Sequence, residues 1–200
     1  VLRQSIDYLL IGYVLGLQAL GVYFFAFNAG LGLSLGVLNA FSTSFYPHLC
    51  DARGDVHTLR VRFREGIITA SLIAAPVILL QSALAPWYVP FIYGEQWVSA
   101  GAVAPLILLC LSALTRPMGE AAAQLLLAVG RSGDVLRWSA AITVMLGLAL
   151  VAGTRWGLIG VASAVLIHAV VEGLVGSWMD VGAGQRASVG PLYGVPAVAV

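Results

Sequence analysis

The chain has no lysine at all, and charged residues make up only 10% of its 200 residues. Its arginines form no basic block, and the formal net charge is +1. Nothing here points to nucleic acid as a partner. Cysteine is almost as scarce. Cys50 and Cys110 have neither metal-ligand nor redox spacing, so both are read as structural. No nucleophile elbow, phosphate-binding glycine loop or metal-ligand cluster occurs. The sequence therefore offers no catalytic residue, no metal site and no cofactor. Gly30-Leu31-Gly32 lies inside an apolar run rather than after a strand, which excludes a dinucleotide fingerprint. The start of the chain has no basic stretch, short apolar core and small-residue cleavage site of the secretory type.

What the chain does have is apolar surface. Hydrophobic residues make up 60% of it and the mean hydropathy is +0.95, whereas a soluble domain is roughly half apolar. Several runs reach the length of about 20 residues needed to cross a bilayer. They predict an all-α, polytopic membrane protein with six spans: residues 2–18, 23–46, 67–84, 98–128, 135–151 and 158–178. A break at Ala19–Tyr23 is expected to turn the first span into the second, and Pro47 to end the second. Gly30, Gly32, Ser34 and Gly36 give that second span small faces for close helix approach. His48–Glu65, with Val56, Leu59 and Phe63 at helical spacing, is expected to lie partly on the membrane surface. Pro86–Trp97 reads as an aromatic interfacial loop. The fourth run, at about 45 Å, has to project or bend, and Pro117 predicts a kink beside Arg116. Residues 1–180 thus form one transmembrane unit. Residues 181–200 read as a linker and the start of a further helix, and the opening at Val1 predicts a piece of a longer protein.

Arginine placement predicts the orientation. With the first span starting in the cytoplasm, Arg3, Arg53, Arg60, Arg62, Arg64, Arg131, Arg137 and Arg186 lie inside. Arg155 lies outside and Arg116 falls within a span. Trp87, Trp97 and Trp156 then mark the outer interface, with Trp138 and Trp178 at the inner one.

Polar residues inside the spans are few. Ser112, Arg116, Glu120 and Gln124 recur every fourth residue and form one stripe on a helix. An arginine near mid-span costs roughly 2.5–3.5 kcal/mol on insertion scales, so the stripe is the candidate substrate path. Pairing of Arg116 with Glu120 inside one helix is the competing reading. His168 and Glu172 are also four apart, on a row with Gly160, Ala164 and Gly176. That pair either lines or couples the path or is an internally satisfied packing pair. Asp7 either complements a helix start or sits deeper as a coupling group. His48 and His57 are read as solvated.

Asp7-Tyr-Leu-Leu-Ile-Gly12 followed by Leu17-Gln-Ala-Leu-Gly21-Val-Tyr23-Phe-Phe-Ala26 resembles the opening of the second half of polysaccharide flippases. These belong to the multidrug/oligosaccharidyl-lipid/polysaccharide exporter superfamily. Phe45-Tyr46-Pro47, Ile92–Trp97, Leu127–Arg131 and Gly157–Ala162 follow in the same order. The resemblance implies two six-helix lobes around a cavity that opens alternately to either side. This chain would be one lobe plus the start of an extra helix, in the bacterial cytoplasmic (inner) membrane. It further implies a lipid-linked oligosaccharide as substrate, membrane lipids as surroundings, and polysaccharide assembly proteins as partners. Cationic cavity residues of the family bind anionic diphosphate or acidic sugars, and Arg116 is the candidate for that role here on its own placement. Two alternatives stand: a cation-coupled drug antiporter of the same superfamily, and a membrane polymerase or ligase acting on lipid-linked sugars.

Overall fold

The computed structural model of the protein describes residues 6–52 and 54–187, and among them the chain is all-helical, with no strand. The helices are α1 (Ile6–Val14), α2 (Gly16–Cys50), α3 (Val56–Tyr88), the short α4 (Glu95–Ser99), α5 (Val103–Ser112), α6 (Arg116–Ala128), α7 (Ser132–Gly153) and α8 (Gly157–Ala187). Among the described residues, His57–Tyr93, Val103–Ala128 and Ser132–Val175 are long and apolar enough to cross a membrane. The third of these stretches folds back at Gly157, whose φ is +66°, and so contains two antiparallel helices.

The first reversal is earlier than the sequence suggests. It occurs at Leu15–Gly16, not at Ala19–Tyr23, because Gly16 takes a left-handed conformation (φ +86°) that other residues resist. The Tyr8 ring then packs on Tyr23, Phe24 and Phe27, closing the α1–α2 hairpin. Pro47 does not end α2 either. It costs only its own N–H, while its carbonyl still accepts from the Asp51 N–H, and the helix runs on to Cys50.

Asp55 starts α3. Its carboxylate accepts from the Thr58 hydroxyl and the His57 N–H, the N-cap arrangement that satisfies otherwise orphaned donors. Those bonds, the Thr58 one foremost, hold the Asp55 carboxyl below its ordinary range. The expected surface segment is therefore the first turns of one continuous α3. Leu59 and Phe63 pack inward against Phe45 and Leu49, while Arg60 and Arg64 point out. Arg62 donates to the His48 carbonyl at 2.8 Å and Gln81 to the Ala29 carbonyl at 2.6 Å, fixing α3 antiparallel to α2.

The aromatic stretch is helical rather than a loop. A π-helical turn, Val89–Tyr93, continues α3, and Gly94 (φ +95°) redirects the chain into α4. There Trp97 stacks on Phe25 at 4.0 Å between ring centroids. Because α4 and the turn at Gly101 take up residues 95–102, the next long helix starts at Val103, not Val98.

Apolar on nearly every side, α5 is buried among α2, α3 and α8, as such a sequence requires. Leu106, Leu109 and Cys110 are fully covered, and the Cys110 thiol donates to the Ile78 carbonyl at 3.6 Å. The predicted bend is real, but it precedes the proline. A 3₁₀ turn, Ala113–Thr115, separates α5 from α6, and Pro117 sits in the first turn of α6, where no N–H is needed.

Arg60, Arg62, Arg64, Arg131 and Arg137 cluster around the α2–α3 and α6–α7 turns at one end of the bundle. Arg155 lies at the other end, near the turns that carry Trp87, Trp97 and Trp156. Arg3 and Arg53 lie outside the described residues. So does the stretch Pro191–Val200, expected to open a further helix, while α8 runs through the expected linker as far as Ala187.

The α7–α8 hairpin depends on two glycines. A methyl group on Gly160 would collide with the Gly153 carbonyl and with the Trp156 side chain, and one on Gly153 with the Gly160 carbonyl. In lipid, such close backbone approach is a main source of helix association. Gly160→Val in the intact protein should therefore cost about 1–3 kcal/mol of overpacking. It should lower the melting temperature of the detergent-solubilised protein, whereas Gly147→Ala, which meets nothing within 4 Å, should leave it unchanged.

Candidate functional site

Arg116 is the first residue of α6. It lies halfway along the α5–α6 run, about 18–20 Å from either end at 1.5 Å per residue. The 3₁₀ turn carries the helix from α5 into α6 without a break, the Arg116 N–H donating to the Ala113 carbonyl, so the cation sits mid-helix rather than at a free end. Its position needs a reason outside α6. The guanidinium is partly buried, with a buried Nε, and it acts electrostatically on Asp7 of α1 and Tyr23 of α2.

Asp7, in the first turn of α1, is buried at 8% exposure. One carboxylate oxygen accepts from the Tyr8 N–H at 3.0 Å and the other from the Tyr23 hydroxyl at 2.9 Å. Tyr23 is itself fully buried. Attraction by Arg116 is a weaker, longer-range addition to those bonds. Thus Asp7 is tied into the bundle interior by α2. Tyr23 was invisible as a site residue in the sequence, because a tyrosine in an aromatic run looks like packing.

The four-residue stripe is divided by the 3₁₀ turn. Ser112 is fully buried, and its hydroxyl donates to the Leu109 carbonyl at 2.6 Å. Glu120 is exposed and accepts from the Gln124 amide at 3.2 Å. So Ser112 faces the core, Arg116 lies at the bend, and Glu120 with Gln124 forms an outward polar pair.

Helix α8 adjoins this bend. The Thr115 hydroxyl donates to the Ala169 carbonyl at 2.8 Å, and Gly173 approaches Thr115 so closely that a Cβ there would meet its side chain at 3.0 Å. Glu172 packs over Gly119, one turn from Arg116, within 3.4–3.7 Å of where a Cβ would stand. His168 is buried at 5% exposure, with Nδ1 3.9 Å from the Glu172 carboxylate and Nε2 3.1 Å from the Ile142 carbonyl of α7. The structure therefore brings the α8 pair against the α6 segment that carries Arg116 and Glu120. Counted from their own helix starts, His168 and Glu172 lie about 16 and 22 Å inside. Among the described residues, no group of three or more His, Cys, Asp or Glu side chains is arranged to hold a metal ion.

A protein-family profile described as "Polysaccharide biosynthesis protein" matches residues 1–102. The chain is 26% identical over 179 residues to the teichuronic acid biosynthesis protein TuaB of Bacillus subtilis (strain 168), covering 89% of this chain and 37% of that protein. It is 25% identical over 172 residues to the lipopolysaccharide biosynthesis protein WzxC of Escherichia coli (strain K12), covering 86% and 35% respectively. With the amylovoran biosynthesis protein AmsL of Erwinia amylovora the identity is 28% over 155 residues, covering 78% and 39%. The chain thus spans between 35% and 39% of the length of these curated relatives. No solved structure matches it.

The Asp7–Tyr23 bond can be measured on its own. Tyr23→Phe removes the donor and leaves a buried carboxyl oxygen without it, which should destabilise the protein by about 1.5–3 kcal/mol. Asp7→Asn keeps an acceptor for the hydroxyl and should cost less. Thermal unfolding of the two single variants and the double variant should give a coupling of about 1–2 kcal/mol.

Proposed function

The chain belongs to the polysaccharide biosynthesis protein family, and on that premise we propose that it is one lobe of a flippase for lipid-linked oligosaccharide or polysaccharide repeat units. In this reading α2, α3, the bent α5–α6 pair, α7 and α8 cross the bacterial cytoplasmic membrane, and the nine residues of α1 are the outer part of a sixth pass. The arginine-rich end faces the cytoplasm, in keeping with the positive-inside bias. The membrane reading is supported by the three apolar helical stretches and by Trp87, Trp97 and Trp156 at the end opposite most of the arginines.

The observation that carries the proposal is Arg116: a cation at mid-depth, halfway along the α5–α6 run, with acids on neighbouring helices. The guanidinium favours an anion, such as the phosphate joining sugar to lipid or an acidic sugar. Asp7 holds the guanidinium by attraction when no anion is present, and the anion takes over that role during passage. Glu120 and Gln124 extend the polar surface along α6. Glu172 and His168 line or couple the path from α8, and Ser112 acts by shaping the bend. The transported molecule keeps its lipid tail in the bilayer, so the protein needs no group that makes or breaks a covalent bond.

Arg116→Ala in the intact protein should cut surface polysaccharide at least about tenfold, the loss of one charge-assisted contact worth more than about 1.4 kcal/mol. The amount of protein in the membrane should be unchanged, and Arg116→Lys should retain part of the activity. Normal polysaccharide in the alanine variant would remove Arg116 from the path.

A further inference from the structure

We propose that the outward face of α2 is the water-lined wall along which the sugar part of the glycan moves, with Asn28 and Asn39 as its hydrogen-bonding contacts. This rests on reading the chain as a flippase of lipid-linked glycans. Asn28, Gly32, Gly36, Asn39, Thr43 and Tyr46 are all exposed on the bundle. At 3.6 residues per turn they fall within an arc of about 80° on α2. A Cβ added at Gly32 or Gly36 would meet nothing within 4 Å, so these glycines do not serve contacts inside this bundle. Gly30, by contrast, faces inward, where its Cβ would meet the Leu106 carbonyl at 3.0 Å. One helix thus has a packing face and a separate open, polar face.

The other long helices show what a lipid-facing surface looks like in this chain. Their outward residues are large and aliphatic: Leu72 of α3 is 70% exposed, Leu148 of α7 68% and Ile167 of α8 63%. On α2 the first turns still expose Leu17 and Phe24, but from Asn28 to Thr43 the outward position is held by amides, a hydroxyl and bare backbone. The helix has 35 residues and a length of about 52 Å. Asn28 and Asn39 lie about 18 and 16 Å from its two ends, inside a hydrocarbon layer of about 30 Å centred on it. An open amide at that depth is expensive against lipid tails and inexpensive against water. The Asn28 amide also donates to the Phe24 carbonyl at 2.8 Å, which fixes its direction on the helix. A hydroxyl-rich sugar matches such a face: it can exchange hydrogen bonds with successive amides, and the bare glycine backbone admits its bulk.

The test uses single cysteines in the intact protein, with Cys50 and Cys110 replaced. Asn28→Cys and Asn39→Cys should react with a charged, membrane-impermeant thiol reagent at least about tenfold faster than Leu72→Cys and Leu148→Cys. If they react as slowly as the leucine positions, the face is covered by lipid or protein and the proposal fails. The second arm concerns the occupant. The Asn28→Leu/Asn39→Leu pair should lower surface polysaccharide about tenfold with protein level unchanged, while Asn28→Gln/Asn39→Gln restores most of it. Fast labelling with polysaccharide unaffected by the leucine pair would leave a wet wall and overturn the sugar contact. Fast labelling together with normal surface polysaccharide in cells that lack the intact protein would sink the flippase reading, and the sugar contact with it, without touching the wet wall.

Discussion

The structure depends on how a chain with so few charges satisfies the ones it buries. Arg116 sits halfway along the α5–α6 run, far from either bundle end. Inside a bilayer that position is stable only if opposing charge or water is within reach. Asp7 of another helix lies within electrostatic range, and it is fixed in turn by the Tyr23 hydroxyl and the Tyr8 N–H. Two turns set this arrangement. The α1–α2 hairpin has to close at Gly16 to bring Tyr23 opposite Asp7, and the 3₁₀ turn before Arg116 sets where α6 begins.

The bend between α5 and α6 is held from both sides. Ser112 closes the end of α5 onto its own Leu109 carbonyl, and Thr115 anchors the turn to Ala169 of α8. Gly119 and Gly173 then let α6 and α8 approach closely enough for Glu172 to lie over α6. Where driving force from water is lacking, packing and interhelical hydrogen bonds of this kind hold helices together. The same side chains thus set the fold and place the polar groups, so a variant at Thr115 or Gly173 alters both.

Much of this was legible in the sequence. Apolar run length gave the helical class, and the four-residue spacing singled out Arg116 and the His168–Glu172 pair, which α8 does bring beside α6. Turn positions were harder, because a glycine that adopts positive φ, such as Gly16, looks in sequence like one buried inside a helix, such as Gly30. Straight-helix periodicity also misplaced Ser112: the 3₁₀ turn rotates it into the core, away from Glu120 and Gln124. Tyr23 went unread because its partner, Asp7, is sixteen residues away and meets it only through the hairpin.

The small residues of α2 show the same limit from another side. Read along the chain, Gly30, Gly32 and Gly36 form one class of packing residues. Folded, Gly30 meets Leu106 and the other two meet nothing. The difference is one of helix phase, which sequence spacing encodes but which only the positions of α3 and α5 make meaningful. Once α5 occupies the Gly30 side, the amides at Asn28 and Asn39 are left on the outer side, where α3, α7 and α8 present leucine, valine and isoleucine. A bundle with three greasy outer faces and one that turns polar beyond Phe24 is not symmetric towards its surroundings. The charged bend at Arg116 lies on the other side of α2, towards the buried Tyr23, so the helix separates a charged interior from an open, uncharged outer face.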